Sequence, residues 1–277
     1  MMTKSLLAAL SVTTFREDLQ SAVSYCKTHD AHLTALIISM GAGAYIGSYD
    51  VIAVAWLKER QNEIVQLEKV AEEIKLVLSK ETISWDVLDI YTEFSWAAED
   101  VALRALYSDV VLVGPQACRD EQFCKQVIDG ALFRSPTPLL LNPSGVDIDP
   151  APKVVLLAWD ASDEAARAVQ QSIEILRSVG VVHVVLVDPA PPSQDGRAEA
   201  GSEIARFLSR HGVNVAVDRI ASGGRPVDEV LLQQAAKVRA DVIVMGAYNH
   251  PRLQQRLFGG VTRSMIEHCK LPLFLAH

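Results

Sequence analysis

The chain has 277 residues, 49% of them hydrophobic and 22% charged, the balance of an ordinary globular protein of two domains or one large one. A formal net charge of -8 excludes the broad basic footprint that nucleic-acid binding needs, while leaving room for a local anion site built from backbone N–H groups. Four sparse cysteines, Cys26, Cys118, Cys124 and Cys269, lack a zinc-ligand pattern and read as reduced thiols, and no apolar run approaches the length of a membrane span, so a cytoplasmic protein is expected.

The opening stretch MMTKSLLAALSVTTF reads as a first strand rather than a signal peptide, because it has a short apolar run and no small-residue cleavage pattern. Further strands are predicted over 32–39, 84–91, 109–113 and 138–141, with helical sequence between them. A stretch rich in Pro, Gly and Asp, 142–152, reads as a linker. Beyond it come a buried strand at 154–158 and a helix at 163–178, with Ala166, Val169, Ile173 and Leu176 near helical spacing. Then follow a strand at 182–187, a helix at 199–211 with Ile204, Phe207 and Leu208 on one face, and an alternating strand at 213–217. A helix at 226–238 with Pro226 near its first turn, a strand at 241–245, a helix at 261–269 and a strand at 272–276 complete the chain. Buried apolar strands that alternate with helices imply a parallel sheet covered on both faces.

The order repeats once. Residues 109–114 (DVVLVG) match 241–246 (DVIVMG), 137–141 (TPLLL) match 271–275 (LPLFL), and 4–10 (KSLLAAL) match 153–159 (KVVLLAW). Two copies of one doubly wound α/β domain, 1–143 and 152–277, are the simplest account. The charge run 58–63 reads as a solvated helix face. His183 reads as a structural histidine in a buried strand, Trp56, Trp85 and Trp96 as packing residues with Trp159 open to ligand stacking, and 188–196 as a mobile loop with a lid as the alternative.

The chemistry lies in MGAYNHPRLQQRLFGGVTRSM, residues 245–265. Gly246 leaves a central strand, where a missing Cβ lets backbone approach a ligand, and Gly259-Gly260 precede a helix whose N-terminus attracts anions. Thr262 adds a hydroxyl, and Arg252, Arg256 and Arg263 add positive charge. On the glycines alone, a phosphate cradle and a plain strand end followed by a helix start are equally good readings. There is no G-x-x-x-x-G-K-[ST] and no G-x-G-x-x-G after the first strand of either half, which excludes a Walker loop and a dinucleotide fingerprint. Nor is there a carboxylate pair for a metal or a base placed to activate water, so binding rather than efficient catalysis is expected, with slow ATP hydrolysis as the enzymatic alternative.

The second half resembles a universal stress protein domain, which carries G-x2-G-x9-G-[ST] between its fourth strand and last helix. Gly246, Asn249, Gly259 and Gly260 stand at those positions with the same spacing; Asn249 replaces the second Gly, and Gly260 replaces the Ser or Thr. Residues 160–166 (DASDEAA) are similar to the family's D-x-S-x-x-A segment. The resemblance implies an adenine nucleotide, ATP or else AMP or ADP, with or without Mg. It places Ala158, Trp159 and Leu186 around the adenine, Asp160 beside adenine and ribose, and Met245 and Gly246 on the ribose side. Asn249, Gly259, Gly260 and Val261, with Thr262, would hold the phosphates. Read from the residues alone, Asp160 also suits a helix N-cap or a turn. The first half resembles the same domain without the site, since Val127 and Ile128 stand for Gly259 and Gly260, and Ser11 for Asp160. The family's habit of pairing domains through their last strands implies that 138–141 and 272–276 meet, and leaves a homodimer open. A scaffold that binds no nucleotide is the second reading.

Overall fold

The computed structural model describes residues 3–43, 50–146, 148–149, 152–189, 200–247 and 260–277. The chain forms two compact units, 3–137 and 138–277.

In the first unit the elements run β1 (Ser5–Ser11), α1 (Arg16–His29), β2 (His32–Gly41), α2 (Asp50–Leu78), β3 (Trp85–Glu93), α3 (Ala97–Ala105), β4 (Val110–Val113), α4 (Pro115–Arg119) and α5 (Glu121–Ile128), followed by a π-helical turn, Asp129–Phe133. The strands lie in the order β3-β2-β1-β4, all parallel. β1 and β4 are continuous apolar runs because both faces of a central parallel strand are covered by helices. Leu6, Leu7, Leu10, Val111 and Val113 are accordingly fully buried, each contributing about 1.5–3 kcal/mol of hydrophobic stabilisation.

The second unit runs β5 (Leu139–Leu141), β6 (Val154–Ala158), α6 (Asp163–Ser178), β7 (Val181–Val187), α7 (Ala200–Arg210), β8 (Val215–Ile220), α8 (Val227–Val238), β9 (Val242–Gly246), α9 (Gly260–His268) and β10 (Leu273–Ala276). The order is β5-β10-β9-β6-β7-β8. Every pair is parallel except β5 with β10, where Leu140 faces Phe274 in an antiparallel register. The two runs implied to meet, 138–141 and 272–276, are thus direct neighbours. From β6 the chain steps outward to β7 and β8, then returns to β9 on the other side of β6. That reversal is the switch point at which open α/β sheets place their ligands, beyond the carboxyl ends of the strands.

Several local expectations shift. The strand expected over 213–217 runs instead from Val215 to Ile220, so Asp218 and Arg219 lie in the sheet. The buried face of α6 is Ala165, Ala168, Val169, Ser172 and Leu176. It is rotated from the expected one because Ser172 satisfies its own hydroxyl on the Ala168 carbonyl at 2.6 Å and packs inward. Phe207 is exposed, its ring tilted at 51° against that of His211. The run 58–63 is not a bare solvated face: the Arg60 guanidinium sits over the rings of Trp56 and Tyr91, at 5.3 and 5.1 Å, and Glu63 accepts the Tyr91 hydroxyl at 2.8 Å. Trp96 is exposed rather than packed.

Candidate functional site

The carboxyl ends of β9, β6 and β7 bring most of the expected residues together. Ala158 ends β6 and pairs with Val185, and one step earlier Leu157 pairs with Val244, so Met245 and Gly246 lie alongside Ala158 and Trp159. Leu186, next along β7, is buried. Trp159 continues the ladder by one bond, its N–H donating to the Val185 carbonyl at 2.9 Å. Its indole Nε1 is buried and has no hydrogen-bond partner among the described residues. An indole N–H in that state costs about 1–3 kcal/mol relative to a satisfied one.

After Trp159 the chain turns sharply. Ala161 has φ 63°, a left-handed conformation that costs a residue with a Cβ roughly 1–2 kcal/mol. The strain is held by a relay of hydrogen bonds. The Ala165 N–H donates to Ser162 Oγ at 3.1 Å, and the Ser162 hydroxyl and N–H both donate to Asp160 Oδ1, at 2.6 and 3.0 Å. Ser162, not Asp160, is therefore the N-cap of α6, and Asp160 is an exposed turn residue oriented by that cap. Asp188, with φ 46°, ends β7 in a similar way. Its Oδ1 accepts the Ser222 N–H at 2.8 Å. Hydrogen bonds from the Ser222 hydroxyl and N–H hold the Asp188 carboxyl below the usual carboxylate range. The loops after β7 and β8 are thus tied to each other beside the switch point.

Gly246 has a packing reason for lacking a Cβ. A Cβ there would lie 2.5 Å from the Ala165 nitrogen and 2.6 Å from the Glu164 carbonyl carbon. The close approach expected of a ligand is made by the first turn of α6. Gly114, the first unit's counterpart, shows the same relation with a different outcome. Its absent Cβ would fall 2.4 Å from Asp18 Oδ1. Asp18 is the third residue of α1, as Ala165 is the third of α6. The buried Asp18 carboxylate accepts the N–H groups of Gln116 and Ala117, both at 2.8 Å. After Gly114 the first unit has α4 and α5, and Val127 and Ile128, the counterparts of Gly259 and Gly260, are buried inside α5.

On the phosphate side, Asn249, Gly259, Arg252, Arg256 and His250 lie outside the described residues. Gly260 is the first residue of α9 and is exposed, with nothing within 4 Å of the place a Cβ would take. Val261 is half-buried, and Thr262 is buried. Arg263 Nε is bonded to Glu267 at 2.7 Å, so its charge is matched one turn along α9.

His183 is structural as expected: its Nδ1 meets Asp218 Oδ2 at 2.8 Å, and the same oxygen accepts from Gln234 Nε2 at 2.9 Å. Ser264, Asp228 and His268 meet on the α8 and α9 surface, in an order that does not suit nucleophilic catalysis. The serine hydroxyl donates to Asp228 at 2.5 Å and lies 3.2 Å from His268 Nδ1, which also meets the Ser264 carbonyl at 2.9 Å, so the acid sits on the serine and not on the histidine. A triad needs the acid on the histidine and the histidine on the serine. Among the described residues no cluster of His, Cys, Asp or Glu could hold a metal ion, and no helix is long and apolar enough to cross a membrane.

These features define a doubly wound α/β domain with its side chains gathered at the switch point. Residues 152–277 match the model of the universal stress protein family; this half of the chain is a universal stress protein domain, and the fold of that family extends over the first half. A universal stress protein from Archaeoglobus fulgidus is similar over 98% of this chain and 95% of its own, at 13% identity and a TM-score of 0.64. A putative universal stress protein from Pseudomonas aeruginosa is similar over 99% of this chain and 93% of its own, at 16% identity and a TM-score of 0.61. A half-length universal stress protein from Archaeoglobus fulgidus, in complex with dAMP, covers 45% of this chain and 97% of its own, at 24% identity and a TM-score of 0.35. No curated protein matches the chain.

Proposed function

We propose that the chain is a universal stress protein that takes up one adenine nucleotide, ATP, ADP or AMP, in its second unit, and acts in stress response through binding and conformation. The observation that carries the reading is the contrast between Asp18 and Ala165. In the first unit a carboxylate of the chain itself takes the N–H groups that follow the strand-end glycine. In the second unit the same helix position holds an alanine, which supplies no anion, so an external phosphate would be the counterpart of that carboxylate.

The base would lie against Ala158, Trp159 and Leu186, and a purine ring nitrogen would satisfy the buried Trp159 Nε1. Asp160, held by Ser162, would meet the adenine and ribose edge, with Met245 and Gly246 on the ribose side. Asn249, Gly259, Gly260 and Val261 would hold phosphates through backbone N–H groups, with Thr262 behind them. Magnesium, if present, would be carried on the phosphates, because the described residues offer no metal cluster. The described residues likewise offer no oriented nucleophile or base, and turnover beyond a slow background hydrolysis is not expected.

One feature favours the second reading, a scaffold that binds no nucleotide: the hydroxyl position of the motif is Gly260. Mass spectrometry of small molecules released from the purified, denatured protein separates the two. A stoichiometric adenine nucleotide supports the proposal. Its absence, together with no thermal stabilisation by millimolar ATP or AMP, removes it.

A further inference from the structure

The helix α3 carries a face that its own packing does not explain. Ala97, Ala98, Val101 and Ala102 are buried along one side. On the opposite side Trp96, Leu103, Leu106 and Tyr107 are 60%, 53%, 51% and 85% exposed. On a helix that turns about 100° per residue, Trp96, Asp100, Leu103 and Tyr107 fall within an arc of about 60°, with Leu106 beside them. Leu106 keeps a right-handed helical backbone (φ -54°, ψ -23°), so the row runs on past the last turn. The helix α8 of the second unit repeats the packing: Val230, Leu231, Gln234 and Ala235 are buried at the same spacing, and Arg239 is the C-cap as Leu106 is in α3. On that shared frame Glu229, Gln233, Ala236 and Arg239 stand where α3 has Trp96, Asp100, Leu103 and Leu106. The fold therefore does not require apolar residues on this face. The four exposed side chains of α3 form a patch of roughly 500 Å², the size at which a surface patch marks an interaction site.

We propose that this face of α3 docks against the same face of a second copy of the chain, giving an isologous dimer. The face is complementary to itself. Asp100 and Arg104 make only a loose ion pair within the helix, 3.9 Å apart, and both stay partly exposed. Two α3 helices running antiparallel, with the two-fold axis between Asp100 and Leu103, lay Trp96 of one copy against Tyr107 of the other. The same arrangement brings each Arg104 within reach of the other copy's Asp100, while the leucines close the middle. A partner of one charge would match Asp100 or Arg104 and repel the other; a second copy turned about the axis matches both. Two such patches bury on the order of 1,000 Å², the lower end for a specific contact, so the dimer is weak and exchanges with the single chain. The contact is independent of the nucleotide reading.

Sedimentation velocity of the full chain, without nucleotide and from micromolar to several hundred micromolar protein, tests the proposal. The expected result is a shift from the mass of one chain towards that of two as concentration rises. Leu103→Glu sets like charges across the axis and should stay a single chain throughout, with an unchanged melting temperature because Leu103 is exposed. Asp100→Arg and Arg104→Glu should each lose the dimer alone and regain it when the two variants are mixed, since the mixed pair restores opposite charges at both contacts. That rescue also separates a lost contact from a misfolded variant. The proposal is overturned if the parent stays a single chain at the highest concentration, if Leu103→Glu still dimerises, or if mixing the two charge variants restores nothing.

Discussion

The Asp18 carboxylate and the N–H of Ala117 are 2.8 Å apart in a buried setting, and this contact separates the two halves of an otherwise repeated fold. One acidic residue at the third position of the first helix supplies a carboxylate where the second unit has Ala165. Removing it leaves the Gln116 and Ala117 N–H groups without their acceptor. Asp18→Ala should therefore destabilise the first unit by about 1–3 kcal/mol. Asp18→Asn should recover part of this, since one amide oxygen can still accept. Urea unfolding of the three proteins measures the order; equal midpoints for Asp18→Ala and the parent would show that the contact carries no stability.

Ala161 carries backbone strain at φ 63° in the turn that orients Asp160. Glycine tolerates that conformation, at the expense of a more flexible unfolded chain. Ala161→Gly should raise stability by up to about 1 kcal/mol while loosening Asp160. Thermal unfolding reads the first effect, and a loss of nucleotide affinity reads the second.

Gly246 and Gly260 belong to one motif but should respond differently to a methyl group. A Cβ at Gly246 meets main-chain atoms of Glu164 and Ala165 that cannot yield without moving α6. Gly246→Ala should cost about 1–3 kcal/mol. At Gly260 the Cβ meets nothing within 4 Å, so Gly260→Ala should change stability by less than about 0.5 kcal/mol. Chemical denaturation of both variants checks the contrast, and equal losses would refute the packing explanation of Gly246.

Much of this was legible in the sequence because it is periodic. Strands such as 154–158 and 242–246 are continuous apolar runs, and the duplicated DVVLVG and DVIVMG stretches announced the repeat. Two things were not legible. The contact between Asp18 and residues 116–117 joins positions about a hundred apart, and no local pattern marks a carboxylate that holds so distant a turn. The reason for Gly246 was also hidden, since a glycine that admits a neighbouring helix and one that admits a ligand look alike in a string. An Asp in the first turn of a helix has a ready local explanation in the helix dipole. That local explanation masks the role of Asp18, whose equivalence to Ala165 follows from the starts of α1 and α6.

Asp188 gives the pH dependence a sign. Its carboxyl is held below the usual range in the folded state by Ser222. Its contribution to stability is thus fully present above the unfolded value, near pH 4, and is lost as pH falls through the lower folded value. Ser222→Ala should raise the Asp188 pKa and shift the loss of that contribution to higher pH. Carboxyl-carbon NMR titration follows it residue by residue, and an unchanged Asp188 midpoint would contradict the tie between the two loops.

The most direct test of the central claim is calorimetric titration of the full chain with ATP and with AMP, run in parallel on Asp160→Ala and Trp159→Phe. The expected result is one nucleotide per chain, not two, with affinity weakened in both variants, by roughly tenfold in Trp159→Phe for one lost hydrogen bond. No heat at millimolar nucleotide, or two equal sites per chain, would contradict it.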